Sequence, residues 1–240
     1  NIAAATIRSL VDAGLIEVTE ENVYRKPVLK SDLSGKDGTA KQLSAEQQAV
    51  VDAISQDYSL RISQTYLLRG ITGSGKTEVY MALIERMIAG GKQAIVLIPE
   101  IALTYQTLLR FYLRFGDRVS VMNSRLSPGE RSDQYERAAK GEIDIMIGPR
   151  SALFTPFERL GLVIIDEEHE SSYKSETMPK FHAREVAQEL CRMKHASLLL
   201  GSATPSLESY YRARQGEIPL FTLNSRLTGG ELPKVYIEDL

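Results

Sequence analysis

Two short strings hold the groups best able to do chemistry. Gly70-Ile71-Thr72-Gly73-Ser74-Gly75-Lys76-Thr77 has the spacing of a phosphate-binding loop. Glycines let successive backbone N–H groups curl around phosphate oxygens, and a helix starting at the end of the loop adds the positive end of its dipole. On this reading Gly70, Thr72, Gly73, Ser74 and Gly75 form the cradle, Lys76 reaches the outer phosphates and the Thr77 hydroxyl ligates Mg²⁺. The second string, Leu162-Val163-Ile164-Ile165-Asp166-Glu167-Glu168-His169, is an apolar run ending in a burst of charge. Carboxylates at the C-terminal end of a parallel strand stand on the ligand-binding edge of an open α/β sheet. Asp166 is then placed to hold Mg²⁺ through water, and Glu167 to orient and deprotonate an attacking water. Taken alone, such a cluster reads more readily as a solvated loop; its pairing with the loop at 70–77 gives it chemistry. Nothing in that chemistry demands Glu168.

Two further strings have plainer readings. Gly201-Ser202-Ala203-Thr204-Pro205 follows another apolar run and reads as a helix start, with Thr204 as N-cap and Pro205 in the first turn. Ser44-Ala45-Glu46-Gln47 has capping-box spacing, so Gln47 either ties back its own helix or reads a base; the sequence leaves both open.

Positioning these groups takes alternating strands and helices, and the chain supplies them. The patterns predict strands at Tyr66–Arg69, Ala94–Ile98, Val119–Met122, Ile143–Ile147, Leu162–Ile165, Ser197–Leu200 and Leu220–Leu223. Amphipathic helices are predicted at Lys76–Ala89, Ala102–Phe115, Pro128–Lys140, His182–Lys194 and Pro205–Arg214. Several strands are continuously apolar, as when both faces of a parallel sheet are covered. The expectation is a three-layer α/β domain with a mostly parallel sheet, beginning near Leu43. Ahead of it, Ile2, Ile7, Leu10 and Val11 share one helical face and Gly14 is placed to end that helix. Leu15–Thr19 and Val23–Lys26 read as a hairpin, so residues 1–30 look like the last helix and wing of a partial winged-helix unit. Residues 31–42 carry almost nothing apolar and read as a linker.

Composition narrows the function classes. The chain has 240 residues, 43% hydrophobic and 25% charged, which is material for a large core. With 29 basic and 31 acidic residues the net charge is −2, so a polyanion must be met by a local patch. One cysteine and three histidines leave no internal disulfide and no multi-cysteine zinc site. No run approaches the roughly 20 apolar residues of a membrane span, so no membrane partner is expected and the chain reads as cytoplasmic. It opens at Asn1 partway into a helical pattern and reads as a piece of a longer protein.

The strings GITGSGKTEVY, VLIPEIALT, GPRSALFTPF, IIDEEHESSYK, FHARE and GSATPSLES resemble those of superfamily-two helicases. Among these they are most similar to the bacterial replication-restart, or primosomal, helicases. The resemblance runs from about Leu43 to the C-terminus, and loosely over the winged-helix-like start. It implies a RecA-like motor lobe, the first of two, in a DNA helicase moving 3′ to 5′, with ATP and Mg²⁺ as nucleotide and ion. It also implies that Lys76, Asp166 and Glu167 drive hydrolysis and that Gln47 contacts adenine. Pro99, Glu100, Thr104, Arg150 and Ser151 would run along single-stranded DNA, while His169, Ser202 and Thr204 would couple nucleotide state to DNA. The stretch Ser171 to His182, with Tyr173, Lys174, Lys180 and Phe181, matches an aromatic-rich loop linking DNA contact to hydrolysis. The partners implied are single-stranded and forked DNA and, in a full-length protein, single-stranded DNA-binding protein and other primosome proteins near the bacterial nucleoid. Tyr105, Asn123 and Pro149 stand where such helicases usually have proline, histidine and threonine, and Pro149 can supply neither a hydroxyl nor an N–H. Lys180-Phe181 stands where arginine and tyrosine or tryptophan are common; Phe181 keeps a stacking face without a polar tip.

Arg110, Arg114, Arg118, Arg125, Arg131 and Arg137 crowd one span, but Asp117, Glu130, Asp133 and Glu136 are interleaved, so most are expected on a solvated helix face. Cys191 reads as half-buried packing, and His182 and His195 as structural or solvent-facing. Helicases of this class close two lobes on one ATP, and the second supplies an arginine finger worth on the order of 10³–10⁵ in rate. This stretch alone is therefore expected to bind nucleotide, turn it over slowly and not unwind DNA. The family's zinc module is not expected here. Two other classes compete: a small-molecule P-loop kinase, disfavoured by the DEEH and SAT strings, and a DNA-binding module gated by nucleotide without turnover.

Overall fold

A computed structural model describes residues 4–17 and 42–226 of the chain. The predicted hairpin at 15–26, all but residue 42 of the linker, and the last residues, 227–240, lie largely or wholly outside that description. At the front, helix α1 (Ala4–Asp12) closes as predicted at Gly14, with φ +66. There Leu15 N–H bonds to Leu10 O and Gly14 N–H to Val11 O, the paired bonds of a Schellman ending.

From Ala45 onward, strands and helices alternate as the apolar patterning requires. The strands are β1 (Thr65–Gly70), β2 (Gln93–Leu97), β3 (Val119–Val121), β4 (Ile145–Gly148), β5 (Leu160–Ile165), β6 (Ser197–Ser202) and β7 (Leu220–Leu223). They form one seven-stranded sheet in the order β3-β4-β2-β5-β6-β1-β7. Every pairing in it is parallel. The helices are α2 (Ala45–Ser59), α3 (Lys76–Ala89), α4 (Tyr105–Phe115), α5 (Pro128–Ala139), α6 (Ala183–Lys194) and α7 (Leu207–Arg214). Period-two alternation divides the core between the two faces of the sheet. Leu68, Val96, Ile147, Ile164 and Leu199 pack with residues of α2, α3 and α4. Leu67, Leu97, Met146, Val163 and Leu200 pack with residues of α5, α6 and α7. The expected three-layer α/β architecture is what forms. No helix among the described residues is long and apolar enough to cross a membrane.

Two predicted helix starts move. Thr204 does not cap α7: its N–H bonds to the Ser202 hydroxyl at 3.0 Å, and Ser206 becomes the N-cap. The helix begins later because the Ser206 N–H is captured by the Glu168 carboxylate, a partner far away in sequence. Likewise α4 starts at Tyr105, not Ala102, because a short 3₁₀ turn at Glu100–Ala102 precedes it and the Thr104 side chain caps it through Thr107 N–H.

His182 is the N-cap of α6, and its Nδ1 accepts the Arg184 N–H at 3.2 Å. Partial burial, with the nearby Arg184 guanidinium, holds its imidazole below the ordinary 6.5. A histidine whose folded-state pKa is depressed lets the unfolded chain bind more protons, so stability is full above 6.5 and is lost as pH falls below it. His182→Asn keeps a capping side chain without that titration. Urea midpoints measured from about pH 7 to 5 should fall less steeply for the variant than for the parent; parallel slopes would contradict this assignment.

Candidate active site

The loop between β1 and α3 turns on Gly73 and Gly75, both at φ +82, a left-handed backbone that a side chain would strain. Gly75 is the N-cap of α3 and offers no capping side chain, so the N-terminus of the helix is left for a ligand. A cavity of about 530 Å³ opens there, lined by residues 71–78 together with Arg110, Asp166 and Glu167. Lys76 is only 8% exposed; its Nζ donates to Gly70 O at 3.0 Å and lies 3.5 Å from Glu167 Oε1. The Ser74 hydroxyl is buried and has no hydrogen-bond partner among the described residues. An orphaned donor, an uncapped helix start and a buried ammonium in one cradle fit a phosphate chain.

Gln47 forms both halves of the capping box with Ser44, and its Nε2 also donates to Ser74 O at 2.9 Å. It is fully buried and braces the phosphate loop from behind through its carbonyls.

Opposite the loop, β5 delivers the carboxylates. The Asp166 N–H still bonds to Leu97 O of β2 and the Glu168 N–H to Gly201 O of β6, so the acidic turn stays tied to the sheet. Burial pushes its carboxyl up from the usual range, and a 2.8 Å hydrogen bond from the Tyr80 hydroxyl opposes that. Glu167 has φ +46, unusual for a non-glycine residue and a form of strain that collects at functional sites. His169 Nδ1 lies 2.8 Å from Ser202 Oγ and 3.7 Å from Glu167 Oε2. Asp166, Glu167, Lys76 and Thr77 therefore meet in one cavity, as the two strings require.

Glu168 points away from that cavity and has a different use. It is 1% exposed, pairs with Arg184 Nη1 at 3.0 Å, and accepts from Ser206 N–H at 2.6 Å and Ser209 Oγ at 3.0 Å. Arg184 also donates to both serine hydroxyls. The third carboxylate thus ties the end of β5 to the first turns of α6 and α7.

The residues predicted to meet DNA all follow the C-terminal ends of strands. Pro99, Glu100, Arg150, Ser151 and Tyr173 line a second cavity of about 290 Å³, and Glu100 and Thr104 line an adjoining one of about 520 Å³. Several are occupied within the molecule. Arg150 Nη1 donates to Ser172 O and Lys174 O, Glu100 accepts from Ser124, and Thr104 is a helix cap. Tyr173 is a core residue whose hydroxyl donates to Asp166 O at 2.7 Å. Phe181 packs edge-on against Phe154, with ring centroids 5.6 Å apart. Lys174 and Lys180 are exposed. Ser202 is buried between His169 and the Thr204 N–H.

Two residues with roles at the site escaped the sequence reading. Arg110 lines the phosphate cavity and pairs with Glu78 at 2.6 Å; in sequence it is one of many arginines. Tyr80 belongs to the string KTEVY, and only the fold brings it to Asp166. Of the rest of the arginine run, Arg118, Arg125 and Arg131 are exposed, as expected of most of it, and two are not. Side chains of Arg114 and Arg137 are nearly buried, against Glu85 and Gln134, and Arg118 pairs with Asp144. Cys191 is more deeply buried than expected; burial pushes its thiol up to about 12, as befits packing and not a nucleophile.

Comparison with known proteins points the same way. Residues 44–213 match the DEAD/DEAH box helicase family. The chain is 45% identical over 238 residues to the replication restart protein PriA of Bacillus subtilis, covering 99% of this chain and 29% of that protein. It is 47% identical over 199 residues to PriA of Chlamydia trachomatis, covering 82% of this chain and 26% of the relative. The chain therefore spans well under a third of the length of these relatives. Among solved structures, RecG bound to a three-way DNA junction superposes with a TM-score of 0.58 at 24% identity, over 80% of this chain and 25% of that one. The Hef helicase domain of Pyrococcus furiosus superposes with a TM-score of 0.53 at 17% identity, over 76% of this chain and 38% of that one. At these identities the likeness speaks for the fold.

The Glu168 network generates a stability test. Glu168→Ala leaves the Arg184 guanidinium without its anion and should destabilise the fold by about 3–5 kcal/mol. Glu168→Gln still accepts the Ser206 N–H and should cost less, about 1–3 kcal/mol. Urea unfolding of both variants checks this, and equal costs would contradict it.

Proposed function

Because the chain belongs to the DEAD/DEAH box helicase family, we propose that its α/β domain is the ATP-hydrolysing motor lobe of a DNA helicase working in replication restart. The observation that carries the reading is the single cavity lined on one side by the phosphate loop and on the other by Asp166 and Glu167, with Lys76 Nζ 3.5 Å from Glu167. The backbone of Gly70 to Thr77 cradles the phosphate chain, and Lys76 exchanges its contact with Glu167 for the outer phosphates. Glu167, released, orients the attacking water and takes its proton. Thr77 and Asp166 are the pair that would hold Mg²⁺. Held there, the ion would supply neutralisation of the charge developing on the phosphate oxygens. Among the described residues no three or more carboxylate, histidine or cysteine side chains converge as a metal cage. One hydroxyl and one carboxylate suit Mg²⁺, which usually keeps waters and shares substrate phosphates. Gln47 fixes the phosphate loop through Ser74 O, and the adenine contact assigned to it would be made from that anchored position.

Coupling to DNA follows the same edge of the sheet. His169 Nδ1 faces both the Glu167 carboxylate, at 3.7 Å, and the Ser202 hydroxyl, at 2.8 Å, so a change of charge at the carboxylate is felt at the imidazole and passes by hydrogen bonds to Ser202 and Thr204. Pro99, Glu100, Thr104, Arg150 and Ser151 form the track for single-stranded DNA, with Lys174, Lys180 and Phe181 on the loop beside it and Tyr173 anchoring that loop to Asp166. The similarity to replication restart proteins supports forked DNA as the substrate and 3′ to 5′ movement in the longer protein. In this reading its partners there are single-stranded DNA-binding protein and other primosome proteins, in the bacterial cytoplasm. In this account residues 43–240 are the motor lobe, 31–42 a linker and 1–30 part of a winged-helix unit.

Steady-state Mg-ATP turnover, measured with and without forked DNA, tests the proposal. Turnover should rise with DNA, and Glu167→Gln should lower it by about 10²–10⁴-fold while nucleotide still binds. Turnover that ignores this substitution would overturn the role of Glu167 and leave a DNA-binding module gated by nucleotide.

A further inference from the structure

Tyr80 lies one turn after Lys76 on α3, buried at 2% exposure in the core beneath the phosphate loop. Its hydroxyl donates to Asp166 Oδ1 at 2.8 Å, at the end of β5. The hydroxyl end of the ring lies against Gly201 of β6. A methyl group built on Gly201 would overlap the Tyr80 hydroxyl and sit 2.9 Å from the ring carbon that bears it. The φ of Gly201 is not in the left-handed region, so glycine is needed here for space. Asp166 is also held from the other side, where the Tyr173 hydroxyl donates to its backbone oxygen at 2.7 Å. Its carboxylate and its carbonyl are thus each fixed by a buried tyrosine.

We infer that Tyr80 is a positioning residue for Asp166, and that Gly201 is glycine so that the Tyr80 hydroxyl has room. If Tyr80 were only core packing, phenylalanine would serve equally and the hydroxyl would not need the space at Gly201. Instead the first residue of the string GSAT and the last of KTEVY make one device that sets the carboxylate facing the phosphate cavity. The inference rests on the reading of Asp166 as the Mg²⁺ carboxylate.

The test is an equilibrium titration of a fluorescent ATP analogue into the full chain, with Mg²⁺ and with EDTA, for the parent, Tyr80→Phe, Gly201→Ala and the double variant. Tyr80→Phe should unfold at nearly the parent temperature and bind nucleotide equally in EDTA. Its gain in affinity from Mg²⁺ should fall by about tenfold, the scale of a hydrogen bond to a charged group. Gly201→Ala should show the same selective loss, and the double variant should be no worse than the poorer single one, because both changes remove one contact. An undiminished Mg²⁺ gain in Tyr80→Phe would overturn the inference, as would losses that multiply in the double variant. If Gly201→Ala does not fold, Tyr80→Phe alone decides. A parent chain whose nucleotide binding gains nothing from Mg²⁺ would overturn the reading of the site, and this inference with it.

Discussion

Lys76 is a cation almost wholly withdrawn from water, with a carbonyl at 3.0 Å and one carboxylate oxygen at 3.5 Å. A buried ammonium is costly unless an anion stands near it, and here the anion comes from a strand that is not adjacent in the sheet. The sheet order β5-β6-β1 places the phosphate loop and the acidic turn two strand spacings apart, about 10 Å, with β6 between them. The lysine and the glutamate bridge that gap with their side chains. Only a parallel sheet puts the ends of all three strands on one edge, so the architecture serves this meeting of charges.

The strand in the gap is wired to both sides. Gly201 gives room to Tyr80, which holds Asp166; Ser202 meets His169 next to Glu167; Gly201 O accepts the Glu168 N–H. Beyond it, Glu168 and Arg184 fasten the starts of α6 and α7 to the same turn, and Tyr173 fastens the following loop to Asp166. The left-handed backbone at Glu167 is flanked on both sides by residues whose own bonds leave little freedom, which is how a strained conformation persists. Movement at the phosphate site can therefore pass into the loop and helices beside it through contacts that already exist.

What could be read from sequence was what depends on local pattern. The phosphate loop, the seven strands and the capping box at Ser44 are each fixed by neighbours within a few residues. Long-range polar contacts were not legible. Glu168 looked superfluous because its partners lie 16 to 41 residues away, and α7 started late for the same reason. Tyr80 and Asp166 are 86 residues apart. The resemblance puts Tyr173 in a loop linking DNA contact to hydrolysis, yet it is 1% exposed, with its hydroxyl donating to the Asp166 carbonyl inside the core. The arginines looked alike in sequence, and only the fold separates those sunk against acids from those at the surface.

The central claim is that the phosphate loop and the acidic turn are two halves of one nucleotide site, joined through Lys76. Calorimetric titration of Mg-ATP into the parent chain and into Lys76→Ala tests it most directly. The account predicts one nucleotide bound per parent chain, and an affinity at least about tenfold weaker once the ammonium is gone, the scale of a charge-assisted contact to phosphate. Equal binding by both chains, or none by the parent, would contradict it.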